Sequence, residues 1–157
     1  GIMDGAGIRS LLQLGAEGVQ LGTAFLLCPE SATDAGYRQV LSAEPPPQTV
    51  MTAAISGRPA RSIDNAFCEI GRRHPGVLPP DYPVAYDAGK ALAAVARAQG
   101  EWGFGAQWAG EGVAMIRALP TADLMQALIR EGGFCTQQQP RRDGDLPRLP
   151  MSDRADV

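Results

Sequence analysis

The chain has 157 residues, of which 45% are hydrophobic, and carries a net charge of −3 at pH 7. This length and hydrophobic content predict a soluble globular unit, and the charge gives no electrostatic basis for binding nucleic acid. No apolar run approaches the roughly 20 residues that span a bilayer, so we also expect no membrane partner.

The N-terminal segment predicts a loop followed by an amphipathic helix. Asp4 stands where a helix N-cap is expected, and Gly15 is placed to end the helix. The predicted apolar face has the i, i+3, i+4 spacing of a helix. It consists of Ile8, Leu11 and Leu12.

A second glycine loop follows this helix. Residues 18–21 are a short apolar run bounded by glycines, which predicts a buried strand. Gly22 and Thr23 then open a turn, predicted to be briefly helical, in which a backbone without a side chain can approach an anion closely. Two successive strand–loop–helix junctions of this kind are typical of the phosphate site near the last strands of a (β/α) barrel. The structural alternative is a pair of tight α/β turns without a ligand.

The sequence after residue 30 alternates between helical and strand patterns. We predict a helix over 34–42 capped by Ser31 and Thr33, a strand over 48–55, and a helix over 63–72. The first helix is expected to bury Tyr37, Val40 and Leu41, and the last to bury Ile63, Phe67 and Ile70.

The predicted turn over residues 56–61 carries two cations, Arg58 and Arg61. Because arginine matches oxyanions bidentately, the pair is a candidate for contact with a phosphate or an anionic substrate. The interpretation that we favour is structural: ion pairs with Asp64 or Glu69 would tie the turn to neighbouring helix ends. Both arginines therefore stay outside the predicted site.

A proline-rich connector over 76–83 leads into an alanine-rich helix over 84–98. Tyr82 and Tyr86 stand at the start of this helix and are interpreted as packing residues. The small face expected to pack on the rest of the protein consists of Ala88, Ala91, Leu92 and Val95.

Three aromatic residues mark the loop that follows: Trp102, Phe104 and Trp108. Such a loop is suited to covering a flavin or a small apolar substrate. The structural alternative is that it closes one end of the fold by packing. A helix is predicted from Val113 to Pro120, and a last one over 121–131, capped by Thr121 and ended by Gly132 and Gly133. Its expected core face is Leu124, Met125, Leu128 and Ile129.

The three cysteines, Cys28, Cys68 and Cys135, are far apart and lack any C-x-x-C spacing. Neither a disulfide framework nor a metal site is expected, and a reducing cytoplasm fits this pattern best. We interpret each cysteine as a small buried hydrophobe. The single histidine, His74, lies in no catalytic motif and is disfavoured as the partner of a nucleophilic cysteine.

The first 26 residues, GIMDGAGIRSLLQLGAEGVQLGTAFL, closely resemble the nitronate monooxygenase family of FMN-dependent TIM-barrel enzymes. The flavin-dependent enoyl-acyl-carrier-protein reductases share this stretch. Two later segments favour the first family: ISGRPAR at 55–61 and WAGEG at 108–112. The resemblance extends over residues 1–132.

This resemblance implies an α/β fold, namely the C-terminal part of an FMN-binding TIM (β/α)8 barrel with a mainly helical C-terminal extension. Residues 1–44 would hold the last strand–helix units and the phosphate-binding loops, and 45–133 the extension packing on the barrel. Residues 134–157 are predicted to be a disordered tail. Because the chain begins inside a motif, we expect it to be the C-terminal portion of a longer enzyme.

The resemblance also implies a cofactor and a reaction, the oxidation of alkyl nitronates by O2 on bound FMN. The residues that match its cofactor-binding positions are Gly1, Gln20, Leu21, Gly22 and Thr23. The catalytic base is expected upstream of this chain, so its catalytic residues are unknown and the chain alone is expected to be inactive. Glu111 departs from the family's usual glutamine and would add negative charge near a flavin.

Two alternatives remain open at this point. One is an enzyme of the enoyl reductase type, and the other is a truncated, non-catalytic remnant that at most associates with the missing N-terminal half.

Overall fold

A computed structural model describes residues 1–134 of the chain. Its helices are α1 (Gly5–Gln13), α2 (Ala35–Leu41), α3 (Ala66–Arg73), α4 (Val84–Ala98) and α5 (Thr121–Gly132). Its strands are β1 (Thr49–Thr52) and β2 (Ala60–Ile63), and 3₁₀ turns span Thr23–Phe25 and Glu111–Met115. The strands pair antiparallel, with Thr49 opposite Ile63 and Thr52 opposite Ala60. Helices and strands together make this an α/β fold.

Helices α1 and α5 pack against each other although they lie at opposite ends of the described chain. Asp4 caps α1 as predicted, accepting a hydrogen bond of 2.7 Å from the Gly7 N–H. Gly15 follows the helix with a φ of +99°, and Gly133 follows α5 with a φ of +67°. Both positive φ values favour glycine, so the predicted helix ends are confirmed.

Two clusters of buried side chains form the core. The first joins α1 and α5 and consists of Met3, Ala24, Cys28, Leu124 and Leu128. The second surrounds α2 and consists of Leu27, Tyr37, Leu41, Ile63, Ala109 and Val113. Ile116 packs against both clusters, so the two halves of the core are continuous.

The predicted strand over residues 18–21 is not formed. A strand needs a neighbouring backbone to pair with, and in residues 1–134 the only sheet is the β1–β2 pair. The segment has no regular secondary structure, and the Leu21 side chain packs on the first core cluster.

The region from 31 to 73 also differs from prediction in its caps and boundaries. Asp34 rather than Ser31 or Thr33 caps α2, accepting a 2.8 Å hydrogen bond from the Tyr37 N–H. Asn65 caps α3, and Ile63 belongs to β2 rather than to that helix. The predicted turn is shorter than expected because its last two residues already pair in β2.

Helix α4 has the predicted bounds but buries a different face. The predicted face is exposed, with Leu92 at 41% and Val95 at 61% of their accessible surface. A methyl group at Gly89 would lie only 3.1 Å from both the Ile55 carbonyl oxygen and the Phe67 ring. Gly89 therefore faces inward, where the neighbouring backbone approaches closely. The buried residues are Ala85, Gly89, Ala93 and Ala96.

The C-terminal elements correct two further expectations. The helix predicted from Val113 is only the 3₁₀ turn Glu111–Met115. Thr121 begins α5 without capping it through its own side chain; instead the Glu30 carboxylate accepts hydrogen bonds from its N–H and hydroxyl. Leu124 and Leu128 are buried as predicted, whereas Met125 is 44% exposed. The predicted tail from Cys135 onward lies outside the described residues.

Candidate functional site

The structure brings the two predicted phosphate loops together at Gly110. The Gly110 N–H donates a 2.9 Å hydrogen bond to the Thr23 hydroxyl oxygen. A methyl group built on Gly110 would lie 3.1 Å from the Gly1 nitrogen and 3.6 Å from the Thr23 hydroxyl. Gly1 and Thr23, separated by 22 positions in the chain, therefore flank one point on the segment 108–112.

The backbone of residues 20–23 is available to a ligand. Within residues 1–134, none of the N–H groups of residues 20–23 donates to a backbone carbonyl. Gln20 and Gly22 are exposed, while the Leu21 side chain packs on the first core cluster. Donors that are not used within the fold can satisfy the oxygens of an anion.

Strand β2 holds the segment 108–112 from the other side. The Ile63 N–H donates to the Gln107 carbonyl at 2.8 Å, and the Ala109 N–H donates to the Arg61 carbonyl at 3.2 Å. Ser62, which is fully buried, donates from its hydroxyl to the Gln107 carbonyl at 3.0 Å. The segment is thus an irregular extension of the hairpin that reaches the two predicted phosphate loops.

Tyr37 also fixes the segment 108–112, because its buried hydroxyl donates a 2.6 Å hydrogen bond to the Trp108 carbonyl. Burial raises the pKa of Tyr37 above its usual value of 10.0, and the negative charge of Asp34 raises it further. The neutral phenol is the form that the folded state stabilises.

Replacing Tyr37 with phenylalanine is expected to lower the free energy of unfolding by about 1 kcal/mol at neutral pH. The raised pKa also sets the sign of the pH dependence. Above about pH 10 the unfolded chain releases the phenolic proton while the folded chain retains it, so stability falls as pH rises. Chemical denaturation of both proteins between pH 8 and 11 measures this. If Tyr37→Phe lost as much stability at alkaline pH as the unmodified chain does, Tyr37 would not be the group responsible for that loss.

A cluster of charged and polar groups fixes the loop that contains Gly1. Arg117 donates to the Met3 carbonyl at 3.0 Å and forms an ion pair with Glu131. The other oxygen of the Glu131 carboxylate accepts from the Gly5 N–H at 3.0 Å. The hydrogen bond from Gly5, followed by the bond and charge of Arg117, lowers the pKa of Glu131. The loop is therefore held against α5 by a carboxylate that stays ionised at neutral pH.

Arg61 has a structural role, but with a different partner from the predicted one. Its guanidinium lies 2.6 Å from the Glu111 carboxylate, so the charge of Glu111 beside Gly110 is balanced by a cation. Asp64 and Glu69, the expected partners, instead bind Arg72, and Glu69 also binds Arg73.

Tyr82 and Tyr86 lie in an aromatic and cationic cluster at the start of α4. Tyr82 and Tyr86 stack with ring centroids 6.0 Å apart, which agrees with a packing role for both. The Arg58 guanidinium lies over the Tyr82 ring at 5.2 Å and the Lys90 ammonium over the Tyr86 ring at 4.4 Å. Lys90 was missed by the sequence analysis, although its spacing of four from Tyr86 places both on one helix face.

The aromatic loop after α4 packs rather than projecting freely. The Trp102 ring lies directly on α2, where a methyl group at Gly36 would come within 2.2 Å of two ring carbons. Trp102 and Tyr86 both line a cavity of about 200 Å³ whose wall also includes Lys90 and Arg97.

Cys28 and Cys68 are free and buried, as predicted, and Cys135 lies outside the described residues. Across residues 1–134 there is no group of three or more histidine, cysteine, aspartate or glutamate side chains that could hold a metal ion. In the same part of the chain, every helix is too short or too polar to cross a membrane.

Comparison with known proteins identifies the family. The family model for nitronate monooxygenase matches residues 1–131. The chain belongs to the nitronate monooxygenase family.

Two curated relatives agree with this assignment. The chain is 54% identical over 131 residues to a nitronate monooxygenase of Paraburkholderia phytofirmans, covering 83% of this chain and 36% of that protein. It is 51% identical over 132 residues to a nitronate monooxygenase of Pseudomonas aeruginosa, covering 83% of this chain and 37% of that protein. The chain therefore spans little more than a third of the length of these relatives.

Solved structures share the fold. A nitroalkane oxidase from Streptomyces ansochromogenes is 36% identical with a TM-score of 0.75, over 85% of this chain and 38% of that chain. FabK from Thermotoga maritima, at 24% identity and a TM-score of 0.60 over 85% of this chain and 42% of that chain, shows a likeness of fold alone.

Proposed function

We propose that this chain is the phosphate-binding C-terminal portion of an FMN-dependent nitronate monooxygenase, which oxidises alkyl nitronates with O2 when complete. The observation that carries the proposal is the meeting of Gly1 and Thr23 at Gly110. Two glycine loops far apart in sequence converge there, as the phosphate site of a (β/α) barrel requires. In this proposal residues 1–44 complete a TIM barrel with the part of the relatives that the chain does not match, and 45–133 pack on it.

The residues at this point fit the phosphate of FMN. The N–H groups of Gly22 and Thr23, which follow the segment that would pair as a barrel strand, are donors without backbone acceptors in residues 1–134, and the Thr23 hydroxyl adds a further donor. Gly1 would add a backbone contact from the opposite loop. The nearby Glu111 carboxylate is balanced by Arg61, so it does not leave an uncompensated negative charge beside the phosphate. When bound, FMN supplies the redox chemistry.

The chain's own contribution is to bind and orient. Backbone donors fix the phosphate end of the cofactor, and Arg117 and Glu131 hold the Gly1 loop in place. By family resemblance the base that accepts the substrate proton belongs to the upstream part, so the 157-residue chain alone is expected not to turn over nitronate. The remaining partner would be that N-terminal part.

The cavity beside α4 has balanced charge, since Lys90 pairs with Asp87 and Arg97 pairs with Asp34, which also lines the cavity. We therefore assign binding of the anionic substrate to the complete enzyme and not to this cavity. Burial of the free thiols Cys28 and Cys68 fits our further proposal of a reducing, cytoplasmic location.

A flavin titration tests the proposed cofactor. FMN fluorescence is followed as purified chain is added, and the titration is repeated with inorganic phosphate as competitor and with riboflavin, which lacks the phosphate. Saturable FMN binding that phosphate weakens and that riboflavin does not reproduce is the expected result. A chain that is folded by circular dichroism and yet does not distinguish FMN from riboflavin would contradict the proposal.

The reaction requires the complete enzyme, reconstituted by joining this chain to the N-terminal part of a curated relative. O2-dependent consumption of an alkyl nitronate is expected. NADH-dependent reduction of an enoyl thioester without nitronate turnover would instead support the enoyl reductase alternative.

Replacing Arg61 with glutamine is expected to weaken FMN binding about threefold, because it leaves the Glu111 carboxylate unpaired beside Gly110. The double variant Arg61→Gln/Glu111→Gln removes both charges and is expected to recover the original affinity. Flavin fluorescence titration at low ionic strength measures both. A double variant that binds as weakly as the single one would show that the ion pair acts through structure rather than through charge.

A further inference from the structure

We infer that Gly110 and Thr23 act as a positioning pair: the Gly110 N–H orients the Thr23 hydroxyl so that its proton points to the cofactor phosphate. The inference rests on the proposed FMN site and deepens it. It assigns a role to the segment 108–112, which lies some 85 positions from the loop that it would organise.

The Thr23 hydroxyl has hydrogen-bonding capacity that the described chain does not use. A threonine hydroxyl has one proton to donate and two lone pairs. The Gly110 N–H, at 2.9 Å, uses one lone pair, and in residues 1–134 the hydroxyl donates to no protein acceptor. The proton therefore remains available, and the bond from Gly110 restricts the directions in which it points. A phosphate oxygen is a strong acceptor for such a donor.

The segment 108–112 also approaches the loop that contains Gly1 closely. Neither Gly110 nor Gly112 has a positive φ, so their backbone conformations are open to alanine. Space is what excludes a side chain. A methyl group at Gly110 would lie 3.1 Å from the Gly1 nitrogen, and one at Gly112 would lie 2.6 Å from Met3 Cγ and 3.1 Å from the Gly1 carbonyl oxygen. Because neither glycine has a side chain, the segment packs directly against the loop that contains Gly1.

The segment 108–112 is also held firmly on the side away from Gly1. The segment is fixed by the hydrogen bonds of β2 to Gln107 and Ala109 and by the hydroxyl of Tyr37 on the Trp108 carbonyl. Because these hydrogen bonds hold the segment on the side away from Gly1, a methyl group at Gly110 would displace Gly1 or break the hydrogen bond to Thr23. Either change would separate the two loops that hold the phosphate.

The test compares three variants and one control by flavin fluorescence titration, with FMN and riboflavin for each protein. Thr23→Val keeps the shape but removes the hydroxyl, Thr23→Ser keeps the hydroxyl, and Gly110→Ala adds the obstructing methyl group. Gly18→Ala is the control, because a methyl group there meets nothing within 4 Å. Thr23→Val and Gly110→Ala are expected to weaken FMN binding about tenfold, whereas Thr23→Ser and Gly18→Ala stay close to the unmodified chain.

Two readouts separate positioning from a general structural effect. Weak riboflavin binding should not change in any variant, because riboflavin has no phosphate to position. Amide hydrogen exchange at Gly110 should accelerate in Thr23→Val and remain slow in Thr23→Ser, since only the hydroxyl accepts this N–H.

The outcomes distinguish the inference from the function on which it rests. If the unmodified chain binds FMN and Thr23→Val and Gly110→Ala bind it equally well, the positioning pair is overturned while the proposed function stands. If the unmodified, folded chain shows no phosphate-dependent preference for FMN, the proposed function fails and the inference fails with it. Should Gly110→Ala not fold, Thr23→Val against Thr23→Ser decides the matter alone.

Discussion

Replacing Gly5 with alanine is expected to lower the free energy of unfolding by about 3 kcal/mol. The first residue of α1 lies directly on the end of α5: a methyl group there would come 2.1 Å from the Leu128 carbonyl oxygen and 2.3 Å from the Gly132 nitrogen. Both are backbone atoms of a helix, so the two helices must separate to make room. Alanine has the higher intrinsic helix propensity, and any loss of stability therefore reports the contact.

The measurement is chemical denaturation of Gly5→Ala beside Gly18→Ala. The second glycine lies in open space, and its substitution is expected to change stability by less than about 0.5 kcal/mol. Equal stability of the two variants would show that α1 and α5 do not pack as closely as described. The Gly5 variant should also bind FMN more weakly, because the same helix contact holds the loop that contains Gly1.

Replacing Arg38 with methionine is expected to cost about 3 kcal/mol of stability, the second large effect. Its guanidinium donates to four backbone carbonyls of the segment that follows the Thr23 loop, at distances of 2.7 to 3.1 Å. Methionine retains most of the apolar stem but leaves all four acceptors without this partner. The four carbonyls belong to Leu27, Cys28, Ser31 and Thr33.

Two comparisons isolate the geometry of the guanidinium. Arg38→Lys keeps the charge but presents a single ammonium that cannot reach all four carbonyls, so an intermediate loss is expected. Arg73→Met removes an arginine that is largely exposed and pairs only with Glu69 among the described residues, and it should cost little. If Arg38→Met unfolded at the same denaturant concentration as Arg73→Met, the proposed anchoring of this segment would be wrong.

Local signals in the sequence were sufficient for several elements. Asp4 and Gly15 bracket α1 because capping and positive φ are determined by a few neighbouring residues. The same holds for the end of α5 at Gly133 and for the bounds of α4.

The errors arise where distant parts of the chain decide the outcome. Residues 18–21 have the composition of a strand, but a strand also requires a pairing partner, which composition does not reveal. In α4 the apolar Leu92 and Val95 predicted the wrong buried face, because the face that contains Gly89 packs against Ile55 and Phe67 instead. Helix α5 is capped by Glu30, some ninety positions earlier.

For the candidate site, too, the sequence supplied some residues and not the contacts between distant segments. Resemblance to the family supplied Gly1 and the residues from Gln20 to Thr23, which remain predicted cofactor contacts. It did not supply the hydrogen bond between Gly110 and Thr23 or the pairing of Arg61 with Glu111. Those contacts join three separate segments, and only the folded chain shows them. The WAGEG motif indicated that the segment 108–112 is important, but it did not indicate which residues the segment contacts.

The central claim is that this chain carries the phosphate end of an FMN site. The most direct test is to label the chain with ¹⁵N and record its amide resonances while FMN, and separately riboflavin, is added. We expect FMN, but not riboflavin, to shift the amides of Gln20, Leu21, Gly22 and Thr23 together with that of Gly110. Shifts confined to other parts of the chain, or equal shifts with both flavins, would contradict the account.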